Sequence, residues 1–428
     1  MFPVPAMKKI ILGFLLSVFS LFFVVAVVRA ADPCSPCDPC TSFDNIFDDY
    51  RCSGSKQKSL FGNIEFSGWL QGGVYANTRG ATTRRLQEPD FRGRVVSFQE
   101  AESGNSALLS TVDSTDILLN QLWLVTKKEA DGSRGLDWGF GAEFLFGQDA
   151  WLCQSWNDAQ FDYNWQDGDY YSSIPQLYVQ LAYSDWSVKF GKYETFIGSE
   201  AVQAKDMFFY SHNHLFLTEP YSHTGALVEY TPNDQFFTAF GYTTGNDTSF
   251  ENRYDDHGII SYTSYQFTSK LKLSYAFVYT RFSNQEVYPS LALRDNAGEN
   301  QYFHTICAHY DLTKRLAYLF QWNFGDAKHR QTNTHRLITG ISNTFQYQID
   351  KNWGAGLRAE WVRDKNGEYL GYYVGDIFGL TLGLNWKPCK NVMFTPEIRY
   401  DRVSGSSPFN YGRNRDQVSG GVGATVMF

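Results

Sequence analysis

The feature that most limits what this chain can become is a two-residue rhythm. From Phe61 onward, segments of roughly ten residues alternate apolar and polar side chains, with turn residues between them. In 378–387 one face carries Phe378, Leu380, Leu382, Leu384 and Trp386, and the other carries Gly379, Thr381, Gly383, Asn385 and Lys387. In 392–401 Val392, Phe394, Pro396, Ile398 and Tyr400 alternate with Met393, Thr395, Glu397, Arg399 and Asp401. Successive side chains of a strand point to opposite faces, so each segment has an oily wall and a wet wall. Pro396 cannot donate to a ladder, so a bulge or an irregular bond is expected there.

About sixteen segments fit the rhythm, the first near 61–77 and the last near 416–428. That many oily faces need covering, and the sequence offers no amphipathic helices to cover them. Lipid is the remaining cover, and a closed cylinder satisfies every backbone group within it. Beyond the N-terminus no apolar run approaches twenty residues, so helices do not make the crossing. The expected fold class is all-β, a transmembrane antiparallel β-barrel of about sixteen strands. Aromatic residues make up 17% of the chain. Trp138, Tyr183, Trp186, Tyr230, Phe236, Trp353, Trp361, Trp386 and Tyr400 fall near segment ends, where they would mark the two lipid–water boundaries.

The connections alternate in length. Ser184-Asp185, Pro232–Asp234, Thr268-Ser269, Asp311–Thr313, Asp350–Asn352 and Pro388–Lys390 are short, whereas Thr78–Asp116, Gln148–Ser173 and Glu194–His223 are long. Short periplasmic turns and long outer loops produce this parity. The last segment, Gln417–Phe428, ends on an aromatic residue, a form suited to the barrel-assembly machinery.

The N-terminus reads as an address. Lys8-Lys9 precede an apolar stretch over 10–28, and Val28-Arg29-Ala30 resembles a cleavage site. The expected organisation is a signal peptide over 1–30, a Cys/Pro-rich periplasmic tail over 31–60 and a barrel over 61–428, placed in a bacterial outer membrane. Four of seven cysteines, Cys34, Cys37, Cys40 and Cys52, crowd the tail and are disulfide candidates in an exported chain. Their spacing could also gather a metal ion. Local disulfides, or bonds to a partner, are the simpler reading, and the sequence does not choose among pairings.

The loop Glu194–His223 is too long and too aromatic for a solvated tip. Leaving Phe208, Phe209, Tyr210, Leu215, Phe216 and Leu217 in water would cost roughly 1.5–3 kcal/mol each. The loop is therefore expected to fold into the lumen as a constriction, with Phe208, Phe209, Tyr210, His212, Glu219, Tyr221 and His223 as its working residues. The rival placements are an outer lid and a contact with another protomer. His212, His214 and His223 could ligate a metal, but hydrogen bonds that pin the loop to the wall, with Glu219 and Lys205 taking part, fit better, so no metal or other cofactor is assigned.

The wet faces carry Glu143, Gln176, Gln180, Lys189, Arg358, Glu360, Glu397, Arg399 and Asp401. The charged members would either line the water path or pair across strands, as Arg358 with Glu397 or Glu360 with Arg399. No Gly-x-Ser-x-Gly, phosphate loop or His-Glu-x-x-His occurs, so an enzyme is not expected. A net charge of −8 argues against general nucleic-acid binding.

Several stretches taken together resemble the OmpL-like β-barrel porins, also called β-barrel porin type 2. They are Asn120-Gln121-Leu122-Trp123, Ile174-Pro175-Gln176-Leu177-Tyr178-Val179, Lys189-Phe190-Gly191-Lys192, Phe209-Tyr210-Ser211-His212, Glu219–Gly225, Leu384–Pro388 and Glu397–Asp401. The cysteine-rich tail departs from that family's pattern. The resemblance implies a pore-forming outer-membrane protein and brings no assigned solute.

The reading of the whole chain is a water-filled channel for passive diffusion of small hydrophilic solutes and ions. Outer-membrane lipid and the assembly machinery are its partners, and a homo-oligomer follows by analogy. The alternative is a closed-lumen envelope-organising or adhesin-type barrel with a disulfide-linked tail.

Overall fold

The computed structural model describes residues 64–78, 117–155, 161–163, 165–167, 170–251, 256–282, 299–329, 333–365, 370, 374–409 and 413–428. The expected signal peptide and the tail with Cys34, Cys37, Cys40 and Cys52 lie outside the described residues.

The wall begins with β1 (Glu65–Asn77), β2 (Leu118–Lys128) and β3 (Asp137–Gly147). Next come the short β4 (Gln166–Asp167) and β5 (Tyr170–Ser173), then β6 (Leu177–Tyr183), β7 (Trp186–Glu194), β8 (Ser222–Asn233) and β9 (Phe236–Asn246). The far side is built by β10 (His257–Thr268), β11 (Leu271–Phe282), β12 (Glu299–Asp311), β13 (Leu316–His329) and β14 (His335–Gln348). It closes through β15 (Trp353–Asp364), β16 (Gly375–Cys389), β17 (Val392–Val403) and β18 (Asp416–Met427).

Every wall strand pairs antiparallel with its neighbours, and β1 pairs with β18, which closes the ring. β5 and β6 follow one another along the same edge of β3, and β4 pairs only with β5. The ring therefore has sixteen strands, as the alternation implies. The fourth wall strand is split where its register to β3 shifts by one residue between Leu145↔Ser173 and Ala142↔Leu177.

The alternation sets which way each side chain points. Leu380, Leu382 and Leu384 are exposed on the outside of β16, while Thr381 and Asn385 are buried inside. Trp138, Tyr183 and Trp186 are each more than half exposed, at 56%, 63% and 53%. Such a belt would be untenable in water and is what lipid selects. Near the short turns, Trp186 stacks on Tyr230 at 4.3 Å and Trp353 on Trp386 at 5.2 Å between ring centroids. At the β2–β3 turn, hydrogen bonds from the Ser133 side chain and then from its N–H hold the Asp131 carboxyl below the ordinary range.

Of the bulge or irregular bond expected at Pro396, the strand shows an interrupted ladder and no bulge at that residue. Its register with β18 runs on unbroken, opposite Val422. On the other side, β16 and β17 have no paired residues between Gly383↔Glu397 and Trp386↔Phe394, and the register shifts only near Cys389↔Val392. The missing N–H opens a gap in one ladder, while the rest of the strand keeps its phase.

Candidate functional site

The segment between β7 and β8 leaves the wall at Thr195 and returns at Tyr221. It crosses to the opposite side of the ring: β15, which receives its tip, stands eight strands from β7 in either direction. Phe208, Phe209, Tyr210, His212, Glu219 and Tyr221 are all buried, and so is His223 at the start of β8.

What receives the tip is a patch of buried charge. The register places Arg358, Thr381 and Arg399 side by side across β15, β16 and β17, with Glu360 and Asp401 one step along and Glu397 one step back. Neighbouring strands are about 4.8 Å apart, so two guanidiniums flank a single threonine. Such an arrangement would repel unless acceptors were brought to it, and the loop brings backbone carbonyls. Arg358 donates to the Ser211 carbonyl at 2.8 Å and the His212 carbonyl at 3.0 Å. Arg399 donates to the same His212 carbonyl at 2.7 Å. Glu397 accepts the N–H groups of Tyr210 and Ser211 at 2.9 and 3.2 Å, and Glu360 accepts the His214 N–H at 2.6 Å. The wall thus satisfies a loop backbone that has no ladder of its own.

The acids and bases also pair. Arg399 bonds Asp401 at 2.8 Å and lies 3.3 Å from Glu360, while Arg358 meets Glu200 of the loop at 2.9 Å. The Glu360–Arg399 pair expected from the sequence is present. The expected Arg358–Glu397 pair is not among the ion pairs of the described residues. Glu397 instead accepts from the Tyr75 hydroxyl at 2.8 Å and from the loop amides of Tyr210 and Ser211.

Side-chain fit completes the docking. Phe208 and Phe209 lie against Gly356, where an added Cβ would overlap both rings, and the Tyr210 ring lies on Gly423. Arg358 also sits over the Phe209 ring at 4.8 Å. The Gly356→Ala substitution is expected to lift the two phenylalanines and to cost about 1–3 kcal/mol. A lower temperature for loss of the fast-migrating folded form on gels, against wild type, would register it.

The histidines go to separate partners. His212 stacks on Phe216 at 3.7 Å, His214 bonds Asp401 at 2.8 Å, and His223 bonds the Thr195 hydroxyl at 3.0 Å. Glu219 accepts from Gln321 and, at 2.6 Å, from Asn323. Lys205 pairs with Asp206 and lies over the Trp69 ring. The remaining lumen charges sit on the near wall. Glu143 accepts from Trp123 and Gln176, and Lys189 pairs with Glu229 at 2.8 Å.

Several anchors were not singled out from the sequence. Gln121 bonds the Val202 carbonyl and the Ala204 N–H, Asn120 accepts from the Tyr210 hydroxyl, and Ser199 bonds Gln321. Gln121, Gln321 and Asn323 are amides on the wet side of central strand positions, which is the signal that could have found them. The second long loop contributes as well. Ala150, Leu152 and Cys153 pack with Trp69, Trp123 and Phe216, and Lys192 bonds the Cys153 carbonyl and pairs with Asp162.

Known proteins give the same picture of the fold. The family described as "Putative beta-barrel porin-2, OmpL-like" matches residues 63–428. Curated proteins give no match. Among solved structures, the outer membrane channel DcaP of Acinetobacter baumannii superposes with a TM-score of 0.56 at 12% identity, covering 87% of this chain and 99% of that one. An anion-selective porin from Comamonas acidovorans gives 0.54 at 13%, with 85% and 99% covered. The trimer form of OmpT from Vibrio cholerae gives 0.54 at 12%, with 85% and 99% covered. At these identities the likeness is one of fold.

Proposed function

This chain belongs to the OmpL-like β-barrel porin-2 family, and from that premise we propose that it is a bacterial outer-membrane porin, not an enzyme, passing small hydrophilic solutes and ions by passive diffusion through a lumen narrowed by the β7–β8 loop. The observation that carries the reading is the loop's docking. A wet-walled cylinder is crossed at mid-height by a segment whose backbone is held by Arg358, Arg399, Glu360 and Glu397 on the far side. In this reading Phe208, Phe209, Tyr210, His212, Glu219, Tyr221 and His223 hold and shape the narrowing. Residues 1–30 are its signal peptide, cleaved near Ala30, and 31–60 its periplasmic tail, where Cys34, Cys37, Cys40 and Cys52 form local disulfides or bonds to a partner. The last strand addresses the assembly machinery, and the barrels associate as homo-oligomers.

Lumen charges of both signs are offset by partners, so selectivity between ions should be weak, unlike that of the anion-selective neighbour. The expected result in a salt gradient is a reversal potential well short of the ideal value for either sign, and a near-ideal value would contradict it. For the main reading, liposomes carrying the protein should swell in small neutral sugars at rates that fall steeply with solute size. No swelling above protein-free liposomes would count against it.

A second reading is a closed-lumen barrel that organises the envelope. The complete burial of Arg358, His214 and Leu215 favours it. It predicts no swelling at any solute size, so the same assay separates the two.

A further inference from the structure

Between its aromatic belts the outer wall is apolar on most strands. Leu382, Ile398, Val422, Leu124, Val179 and Val228 point outward there from β16, β17, β18, β2, β6 and β8. Polar outward residues of these strands lie at strand ends, as Thr126 and Lys128 do beside the β2–β3 turn. Hydrocarbon gives a side chain nothing to bond, so this is the pattern that lipid selects.

The arc from β10 to β14 departs from it. On β12 the outward side chains run Tyr310, Ala308, Ile306, His304 and Tyr302, so the imidazole lies between the tyrosines of the two belts. Its outward aim follows from Phe303 and Thr305 on either side, which are buried in the lumen. Across the ladder it stands between Phe277 and Phe324. Ser261 of β10 pairs with Phe277 in the same row, and Asn343 of β14 stands opposite Phe320. The Tyr275 hydroxyl bonds His304 Nδ1 at 2.8 Å, and the Tyr318 hydroxyl donates to Asn343 Oδ1 at 2.7 Å. His304 Nε2, the Asn343 amide nitrogen and the Ser261 hydroxyl have no hydrogen-bond partner among the described residues.

An imidazole and a carboxamide turned toward acyl chains are costly unless another protein surface meets them at the same depth. Each of the three groups both donates and accepts, so each can bond its own kind on a second copy of the chain. The alternative, a different face of that copy, offers only apolar side chains within the belts of the strands named above. Polar groups therefore meet polar groups only when this face packs on itself, which is a two-fold contact.

We propose that two copies of the barrel pair within the membrane through the outer face of β10–β14, about a two-fold axis along the membrane normal, with His304, Ser261 and Asn343 of each copy turned to the same face of the other. The proposal rests on the outer-membrane reading above, and gives the homo-oligomer of that reading a defined face and a number of chains.

Crosslinking and mass together test it. A photo-reactive benzoylphenylalanine in place of His304, activated in outer membranes, should join two copies with a yield about fivefold or more above that of the same residue in place of Leu382 on β16. In detergent, light scattering should give the unsubstituted protein the mass of two chains. The variant His304→Leu/Asn343→Leu makes the patch apolar and should fold, by heat-dependent gel mobility, yet fall to the mass of one chain. If the double variant fails to fold, His304→Leu alone carries the test with the same expected direction. Adducts at 304 with lipid or another protein only, equal yields at the two positions, or a variant that stays paired overturns the contact. So does a mass of three chains in the unsubstituted protein, because a three-fold contact brings two different faces together. A mass of one chain with no crosslink at either position would defeat association of any kind, and this contact with it, while conductance still tests the channel reading separately.

Discussion

Removing Ala201–Leu217 should leave a folded barrel whose single-channel conductance rises by on the order of threefold, because current through a narrow pore is set by its tightest section. The strands that build the wall lie outside the deleted stretch, and every wall pairing is strand to strand. The deleted part is what crosses the lumen, including the residues whose backbone Arg358, Arg399 and Glu397 hold. The cost is an exposed patch of buried charge on β15 and β17, now met by water. Unchanged conductance in a correctly folded variant would mean that the loop does not limit flow.

The second large effect is expected at the arginines. In Arg358→Ala or Arg399→Ala a buried carboxylate loses its cation and the His212 carbonyl loses a donor. Breaking one side of a buried ion pair costs about 3–5 kcal/mol. The ring's own hydrogen bonds are untouched, so the loss should appear as release of the loop. Protease cutting within 195–221 and fluctuating currents are the readouts. The double variant should cost less than the two singles added, because both guanidiniums serve one set of acceptors. Arg358→Lys should rescue poorly, since an ammonium lacks the planar fork that reaches both carbonyls. A quiet, protease-resistant channel in both single variants would show that the loop is held by its aromatic packing alone.

These effects also mark what could be read from the residues in advance. The outward rows, such as Leu380, Leu382 and Leu384, are fixed by period and burial alone, so strand number and fold class were accessible from local pattern. The inward orientation of Arg358, Glu360, Glu397, Arg399 and Asp401 followed from the same phase. Of their partners, the Glu360–Arg399 pair was anticipated and the others were not. Arg358 and Arg399 share a level only because of the registers across β16, and a shift of two residues there would have set Glu397 against Arg358 instead. Gly356 and Gly423 could be read as weak strand residues, but their use as seats for Phe208, Phe209 and Tyr210 depends on a loop arriving from the other side of the ring. Pro396 was legible as a break in a ladder and not as to which ladder. The role of the second loop was hidden because Ala150, Leu152 and Cys153 look like ordinary loop residues until Trp69 and Trp123 are seen beneath them.

The most direct measurement is the current through a planar lipid bilayer after adding detergent-purified protein whose gel mobility shifts on boiling. A sixteen-strand cylinder with a wet interior and a partial crossing predicts discrete, uniform conductance steps with a nearly linear current–voltage relation. Folded, heat-shifting protein that inserts into the bilayer and passes no current above the bare membrane would contradict it.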